Sequence, residues 1–591
     1  MILQALKEYY DRKADDPDSE VAPEGFEKKE IPFLVVIKED GSFVDLVNTR
    51  EQIGKKMVGK SFLLPRSQTR TGKKGYETTF LLWDHIGYLF NYTKSAEPKE
   101  LEKAQNQHLS WLGSLIGLPE SLKEDRGVKA VLAFYEGSGT EDVLASGKWQ
   151  ECIKIPSCNM TFQLVGESTP VPCRPAVKAY QMSKINKVVD TSPTDKEQAI
   201  VSRCLVSGEV GPIARIHAYT PINKDSKSFV AFQKSSGYDS YGKEQCYNAP
   251  VCKSAEFAYT TGLNTLLKSN QRLLIGDAVT VFWSASESEL EALVPSFFNE
   301  PPKDDPDRGT HAVISLFRSV ETGAYSMTDK DNRFYVLGLS PNSARISVRF
   351  WKVGTVPEMA GHFAQHFEDI RICHGVKEHE FLSLFRLLVS TAAQGKSDNI
   401  PPNLAGETMR AILDGLPYPQ TLLQAAIRRI RAEQAKKDPK TGKSLRNVTY
   451  PRAALIKGCL NRLIRTNNPE KEEEVKVSLD KDNKNIGYRL GRLFATLEKI
   501  QAESHPGINA TIRDKFYGAA SSSPVTVFGN LMRLKNHHLA KLENKGRRVN
   551  FERLIGEITD EIKDFPSYLA LSDQGRFAIG YYHQMNDFFT K

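Results

Sequence analysis

The spacing of apolar residues changes near Gln394, and this change limits the folds open to the chain. Before it, short apolar runs such as Ile31–Ile37 and Phe80–Trp83 are typical of buried strands. After it, apolar residues recur with a helical period, as in Ile486–Gln501. At 591 residues the chain is also too long for a single core. We therefore predict an α+β protein, with a mixed α/β N-terminal body followed by a C-terminal all-α helical bundle.

Three polar stretches rich in proline or charge interrupt this pattern and are typical of joints between folded parts. They are Asn299–His311, Gln394–Gly406 and Thr466–Asn485. The last two predict a division into three parts. These are a mixed α+β body (1–395), a basic helical segment (396–470) and a C-terminal helical bundle (471–591).

Positive charge is concentrated toward the end of the chain. Residues 421–591 carry 31 Lys and Arg against 19 Asp and Glu, although the whole chain has a net charge of only +8. The excess is densest between Thr421 and Asn467, where 12 basic residues accompany two acidic ones. A surface that lies along a polyanion benefits from such segregation, because each cation placed on a phosphate releases condensed counterions. A solvated helical face is the alternative interpretation.

The segment Gly54–Ser61 matches the phosphate-loop pattern G-x-x-x-x-G-K-S letter for letter. Such a loop binds phosphates when a helix begins directly after it and aims backbone N–H groups at them. Pro65 follows too closely for that helix. Asp84, the one good candidate for a magnesium ligand, follows too soon to leave room for a crossover helix and a strand. NTP hydrolysis at this loop is therefore an alternative function rather than the main one.

The same region is better suited to contact nucleic acid. Between Gly54 and Lys74 there are seven basic residues and no acidic one, with short polar side chains such as Gln68 among them. Cations and short polar groups on a flexible loop can hold phosphates and still reach a groove edge. The basic residues are Lys55, Lys56, Lys60, Arg66, Arg70, Lys73 and Lys74.

Histidine and cysteine patterns indicate no strong catalytic or metal site. His362 and His366 have the spacing of a helical metal pair, but a third ligand is not evident. A metal-dependent nuclease that uses this histidine pair is a second alternative function. The eight cysteines form no C-x-x-C pair. We predict no catalytic residue, no metal and no cofactor. No secretory signal and no apolar run of about 18–20 residues is present, so we expect a cytoplasmic protein without a membrane partner.

Several segments, spread over most of the chain, identify a family. The most unusual is Gly237–Asn264, a loop of Gly, Tyr, Gln and Asn that leads into a helix. With the other segments it resembles the large subunit of the type I-C CRISPR effector complex, the type I-C Cascade. Departures are small, with Cys246, Cys252 and Gly262 where Gly, Ser and Ala are expected. The other matching segments are Ile2–Arg12, Pro65–Gly72, Phe80–Asp84, Phe334–Ser340, Ser343–Arg349, Tyr488–Phe494 and Asn509–Lys515.

The resemblance implies a non-catalytic DNA-binding subunit of an RNA-guided ribonucleoprotein that serves antiviral defence. Such subunits find a short protospacer-adjacent motif in duplex DNA, help to open the neighbouring base pairs and stabilise the R-loop, including its displaced strand. Guide RNA pairing then tests the sequence, and a separate helicase-nuclease is recruited. The implied partners are target DNA, the guide RNA complex, the backbone and small subunits, and the helicase-nuclease. The C-terminal helices resemble the small subunit of the complex.

The chemistry of the side chains indicates which of them are suited to contact DNA. Amides can donate to and accept from base edges, and tyrosines can stack where base pairs part. For motif reading we predict two loops, whose candidates are Arg66, Gln68, Arg70, Lys73, Lys74, Tyr238, Tyr241, Gln245 and Asn248. A Gly-rich structural turn is the alternative for the second loop.

Cations elsewhere are candidates for contacts to the DNA backbone. The stretch Arg333–Lys352 predicts two strands joined by a turn, with Arg345, Arg349 and Trp351 on one face. That face could stack on bases or simply be the wet side of a sheet. The full set of candidates is Lys55, Lys56, Lys60, Arg345, Arg349, Arg428, Arg429, Arg431, Arg489, Arg492, Arg513, Lys515, Arg533 and Lys535. A purely architectural subunit that never touches DNA is a further alternative.

Overall fold

The computed structural model has an α+β fold, as predicted, and divides into two compact units. Unit 1 is Met1–Thr265 with Ser343–Ile346, and unit 2 is Leu266–Asn342 with Ser347–Lys591. The three-part division at residues 395 and 470 stays a prediction. The described residues are 1–16, 19, 21–53, 56–68, 70, 74–187, 200–222, 227–234, 237, 239–276, 278–342, 345–467, 475–508 and 510–589.

Unit 1 is built around a four-stranded sheet in the order β3-β2-β8-β7, in which only β2 and β8 are parallel. Smaller antiparallel pairs surround it: β1 with β6, β4 with β5, β9 with β10 and β11 with β12. The strands are β1 (Phe26–Ile31), β2 (Phe33–Ile37), β3 (Phe43–Asn48), β4 (Glu51–Ile53), β5 (Lys56–Val58), β6 (Lys60–Pro65), β7 (Trp83–His85), β8 (Asn159–Leu164), β9 (Val201–Arg203), β10 (Val210–Pro212), β11 (Tyr219–Thr220) and β12 (Lys227–Ser228).

Helices cover the main sheet of unit 1, and their apolar faces form its core with Phe33, Val35 and Phe162. The helices are α1 (Ile2–Ala14), α2 (Ile86–Phe90), α3 (Pro98–Ile116), α4 (Glu120–Lys123), α5 (Arg126–Glu136), α6 (Gly139–Ala145), α7 (Trp149–Cys152), α8 (Pro175–Lys187) and α9 (Lys253–Lys268), which ends past the unit boundary.

Of the two apolar runs predicted as strands, one forms a strand and the other does so only at its last residue. The run Ile31–Ile37 is confirmed, because Phe33–Ile37 form β2 and are largely buried, while Ile31 ends β1. The run Phe80–Trp83 is wrong for its first three residues, and the strand begins only at Trp83. Leu82 has a φ of 62°, which belongs to a turn, so the backbone reaches extended geometry one residue later.

Unit 2 joins one antiparallel sheet to a large helical assembly. The sheet has the order β13-β14-β15-β16. Its hairpin confirms the two strands predicted for Arg333–Lys352. The elements are β13 (Arg272–Ile275), β14 (Ala278–Ser284), α10 (Glu289–Phe298), α11 (Arg308–Glu321), α12 (Ala324–Thr328), β15 (Arg333–Asn342), β16 (Arg345–Thr355), α13 (Val356–Ile370), α14 (Leu384–Thr391), α15 (Pro402–Leu413), α16 (Gln420–Ala432), α17 (Tyr450–Asn467), α18 (Ile486–Ser504), α19 (Ile512–Ala520), α20 (Phe528–Ala540), α21 (Lys545–Thr559) and α22 (Leu571–Asp587).

The helix predicted for Ile486–Gln501 is α18, and it lies at the centre of the C-terminal helices. Its closest neighbour is α22, because glycines let the two backbones approach. A Cβ on Gly491 would lie 2.0 Å from the carbonyl oxygen of Phe577, and one on Gly580 would lie 2.1 Å from that of Tyr488. Side chains larger than hydrogen therefore do not fit this crossing.

Across the part of the chain that the structure describes, no helix is long and apolar enough to cross a membrane.

Candidate nucleic-acid interface

The first predicted DNA-contacting loop is held at one end by Arg66, which follows β6. Its guanidinium lies 3.3 Å from both carboxylate oxygens of Glu256 and 3.2 Å from the Thr260 hydroxyl. It also stacks over the ring of Phe257, 4.7 Å from the centroid. Glu256 is buried, so this ion pair lies in the interior of unit 1. Arg66 therefore anchors the loop to α9 rather than presenting a free cation.

Arg70 anchors the same loop at a second point. Its guanidinium forms an ion pair with the buried carboxylate of Asp84, and its Nε donates to the carbonyl of Thr78 at 2.8 Å. The guanidinium carbon of Arg70 lies 3.9 Å from the ring centroids of both Phe80 and Tyr88. For both arginines the prediction of a direct base contact is not supported, because buried carboxylates inside unit 1 already hold their guanidinium groups.

The remaining residues of this region differ in accessibility. Gln68, Lys60 and Lys74 are exposed, and Lys74 lies 3.5 Å from Glu77. Lys60 and Ser61 lie in strand β6, so the helix that a phosphate loop requires does not begin there. Lys55, Lys73 and the side chain of Lys56 fall outside the described residues.

The second predicted loop contains a tight turn near its start. Lys243 N–H donates to the carbonyl of Ser240 at 2.9 Å, and Tyr241 and Gly242 between them have φ values of 50° and 71°. Two central residues with positive φ define a type I′ turn, whose preferred residues are Asn, Asp and Gly. Tyr241 is an unusual choice, because a side chain with a Cβ is strained in this region of φ.

The Asn248 side chain closes this loop. Its Oδ1 accepts from the N–H and the hydroxyl of Ser240, both at 3.2 Å. Its Nδ2 donates to the carbonyls of Lys243 and Gln245 at 3.0 and 2.9 Å. The amide thus makes four hydrogen bonds inside the loop, which leaves it no capacity for a base edge. The prediction that Asn248 reads bases is not supported, and its observed role is to hold the loop.

Gln245 is a second fixed point. Its Oε1 accepts from the Arg215 guanidinium at 2.5 Å, and its N–H donates to Asp239 Oδ1 at 3.4 Å. Like Tyr241 it has a positive φ, of 49°. The described part of this loop presents the ring of Tyr241 to solvent, because Tyr241 is 99% exposed. Tyr238 lies outside the described residues.

Three arginines predicted to contact the displaced strand lie inside unit 2. Arg489, Arg492 and Arg513 are at most 5% exposed. Arg489 donates to the carbonyls of Asn483, Glu557 and Ile558 at 2.8–3.2 Å. Because these guanidinium groups bond to the surrounding helices and loops, they are structural, and the prediction of strand contacts is not supported for them.

Arg492 and Arg513 have equally specific internal partners. Arg492 donates to Gln584 Oε1 at 3.1 Å and to the carbonyl of Lys481 at 3.2 Å. Burial lowers the pKa of Arg492 from its ordinary value. Arg513 bonds to Ser444 and lies 3.8 Å from Glu498. Arg492 therefore links α18 to the loop that precedes it, and Arg513 links α19 to the loop between α16 and α17.

Other predicted cations of unit 2 reach the surface to different degrees. Arg428, Lys515 and Arg533 are exposed, and Lys535 is half-buried. Arg429 forms an ion pair with Glu433 at 3.3 Å. Arg431 is half-buried and donates to Gln574 at 2.8 Å. The exposed members remain candidates for phosphate contacts.

A basic loop between α16 and α17 was missed. We call Lys436–Arg446 the basic finger. It carries five cations that are all exposed, and its one acid, Asp438, accepts from the N–H groups of Lys440 and Thr441 at 2.8 Å. Its tip turns at Gly442, whose φ is 66°. The Asp-Pro-Lys-Thr-Gly sequence is the turn signal that could have located it.

The finger is fixed at its base to other parts of unit 2. Lys437 and Ser444 form a β-bridge, and Ser444 contacts Asp514 at 3.3 Å, beside the exposed Lys515. Arg446 stacks over Phe589, 5.1 Å from the ring centroid. The finger therefore presents its lysines from a defined position.

The hairpin arginines Arg345 and Arg349 are exposed on β16. Trp351, predicted on the same face, stacks on Tyr335 with the rings 5.6 Å apart and 9° from parallel. It also lies 5.7 Å from Trp283. The tryptophan thus has an aromatic partner within the sheet.

The Nδ1 atoms of the histidine pair both have partners within the protein. His362 donates from Nδ1 to the carbonyl of Leu413 at 2.7 Å, and His366 is fully buried with Nδ1 2.5 Å from the Tyr418 hydroxyl. Burial and the nearby Arg462 charge hold the pKa of His366 well below its usual range. Among the residues described above, no group of three or more potential ligands is present.

Comparison with known proteins identifies a protein family. No match was found among curated proteins. The family model described as CRISPR-associated protein (Cas_Csd1) matches residues 6–589, nearly the whole length. The family indicates a large subunit of a Cascade-type CRISPR assembly, with the other subunits and the guide RNA complex as partners. The chain belongs to the CRISPR-associated Csd1 family.

Proposed function

We propose that this chain is the non-catalytic, DNA-inspecting large subunit of a type I-C CRISPR surveillance complex. In this role it binds duplex DNA, recognises a short protospacer-adjacent motif and promotes opening of the adjacent base pairs. Guide RNA pairing then tests the target sequence, and the chain helps to stabilise the R-loop and to recruit a helicase-nuclease. The family membership supports the setting, and two surface features support the contacts with DNA.

The exposed ring of Tyr241 is the observation that carries the proposal. The ring stands on a loop that Asn248 and Gln245 hold in one conformation, at a strained backbone position where Asn or Gly would be easier to place. Because the Tyr241 ring is exposed, it contributes no packing energy to the fold. An aromatic ring presented in this way is suited to insert or stack where base pairs separate. Gln68, exposed on the other loop, is the accessible amide for a base edge.

The basic finger supports the second part of the proposal. Lys437, Lys440 and Lys443 are exposed, and Lys436, also exposed, lies 3.3 Å from Glu433. A row of exposed lysines on a fixed loop matches the charge of a phosphate backbone. Such contacts are independent of base sequence, so the finger would give affinity while the loop near Tyr241 gives selectivity. Non-catalytic action agrees with the use of His362, His366 and Lys60 in ordinary structural elements.

Replacing Tyr241 by asparagine tests the proposed role of the ring. Asn-Gly is the preferred pair for a type I′ turn, so the variant keeps the loop and removes only the aromatic group. We expect capture of a fully paired, motif-bearing target by the assembled complex to weaken about tenfold, as for loss of one stacked base. A target with mismatched, already open base pairs beside the motif should bind as it does to the unaltered complex. Both are measured as dissociation constants on immobilised DNA.

The matched control is Tyr568→Asn, since Tyr568 is also strongly exposed but belongs to unit 2, whereas both predicted motif loops belong to unit 1. This variant should bind both targets normally. Equal weakening of paired and open targets by Tyr241→Asn would contradict a role in strand opening. So would an effect no larger than that of the control.

A further inference from the structure

A cavity of about 270 Å³ in unit 1 has no part in the proposed DNA contacts. It lies among the start of α2, the loop that follows α2, one face of α3 and the turn before β8. The turn at its rim includes Ser157, whose φ is 49°. Its lining includes several side chains that can donate hydrogen bonds, among them His85, Thr93, Lys94, Lys103 and Gln107, and one acidic side chain, Glu100.

The imidazole of His85 is fixed in one tautomer. Its Nδ1 accepts from the N–H of Gly87 at 3.1 Å, so the ring proton lies on Nε2. Gly87 packs tightly against this arrangement: a Cβ there would lie 2.7 Å from Gln107 Oε1 and 2.8 Å from His85 Cε1. The ring of Tyr88 meets the imidazole edge to face at 4.9 Å. His85 is thus a positioned hydrogen-bond donor at the cavity wall.

Cations outnumber acids around this donor. Burial, together with the charges of Arg70 and Lys103, lowers the pKa of His85 to about 4, so the imidazole is neutral at pH 7. Lys94 and Lys103 line the cavity. Glu100 is the acidic group among the lining residues, and Lys103 contacts it at 3.2 Å. Asp84, next to His85, is already paired with Arg70.

We propose that this cavity binds a small phosphate-bearing anion, such as a phosphomonoester. The ammonium groups of Lys94 and Lys103 supply positive charge. The Nε2–H of the neutral His85 imidazole and the Thr93 hydroxyl supply directed hydrogen bonds, and neither group has to become charged to do so. The volume exceeds that of a free phosphate ion and leaves room for the group that a monoester carries. None of the residues that line the cavity belongs to the Tyr241 loop or to the basic finger, and the proposal does not depend on the DNA-binding role.

Titration of the full chain with inorganic phosphate at low ionic strength tests the site, with heat of binding as the readout. We expect saturable binding of one phosphate per chain. Lys103→Gln should weaken it about tenfold, as for loss of one charged hydrogen bond. Lys99→Gln is the matched control, because Lys99 lies on the same helix but does not line the cavity. It should change the affinity less than twofold.

A second readout follows the His85 imidazole by NMR. A bound anion stabilises the protonated ring, so phosphate should raise the pKa of His85 from about 4. A nucleoside monophosphate should compete with phosphate, whereas an oligonucleotide without a terminal phosphate should not. Absence of saturable binding, equal weakening by the two lysine variants, or an unchanged His85 pKa would each overturn the proposal. Competition by the unphosphorylated oligonucleotide would also overturn it, by assigning the cavity to backbone binding.

Discussion

Replacing Gly491 by alanine is expected to destabilise unit 2 by at least about 3 kcal/mol, near the upper end of the cost of overpacking. The added Cβ would lie 2.0 Å from the Phe577 carbonyl oxygen and 2.8 Å from the Tyr581 backbone nitrogen. Both obstacles are backbone atoms of α22, so no rotamer change relieves the contact. The two helices must separate, and the core between them loses its packing. Urea unfolding followed by near-UV circular dichroism measures the loss.

Gly556 provides the matched control for this prediction. It lies within α21, and a Cβ there meets no other atom within 4 Å. Gly556→Ala should leave stability unchanged or raise it by up to about 1 kcal/mol, since alanine has the higher helix propensity. If Gly491→Ala unfolded at the same urea concentration as Gly556→Ala, the close crossing of α18 and α22 would be wrong.

Neutralising the basic finger is expected to have the largest effect on DNA binding. In the quadruple variant, Lys436, Lys437, Lys440 and Lys443 become glutamine, while Arg446 stays because it packs on Phe589. Each phosphate contact contributes about 0.9 to the slope of log affinity against log salt concentration, so the slope should fall by up to about 3.6. At physiological salt we expect affinity to fall about a hundredfold, on all sequences alike. A salt series on the assembled complex with duplex targets measures both quantities.

A second quadruple variant controls for the change in net charge. Lys303, Lys330, Lys377 and Lys396 are exposed lysines of unit 2 that lie outside the finger. Their replacement by glutamine removes the same charge but should change the slope by less than about 1. Equal slopes for the two variants would mean that overall charge, and not the finger, governs binding.

Periodicity and local turn chemistry were enough to predict part of the fold. The helical spacing of Ile486–Gln501 located α18, and the run Ile31–Ile37 located β2, because both patterns depend only on neighbours in sequence. These features require no knowledge of which elements meet in space.

The roles of individual cations could not be predicted in this way. On a helical wheel Arg489 and Arg492 lie off the apolar face of α18, which suggests solvent. In the structure further layers surround that helix, and backbone carbonyls such as that of Glu557 accept their hydrogen bonds. Arg70 belongs to a strongly basic segment, yet Asp84, fourteen residues later, neutralises it. Whether a cation is exposed or paired is decided by tertiary contacts.

The Tyr241 loop illustrates both outcomes. Composition located the loop and identified its tyrosines as candidates, and the structure places Tyr241 at its exposed tip. Composition could not distinguish Asn248, which closes the loop, from a residue that reads bases. The amide of Asn248 is satisfied by four groups of the loop itself, and only the folded geometry reveals that.

Binding of the assembled complex to a library of guide-matched duplexes tests the central proposal most directly. The library members differ only in the few base pairs that flank the guide-matched stretch, and the dissociation constant is measured for each. Direct base contacts discriminate by about 1–3 kcal/mol each, so we expect one small set of flanking sequences to bind at least about tenfold more tightly than the rest. Equal affinity for every flanking sequence would contradict the proposal that this chain inspects duplex DNA.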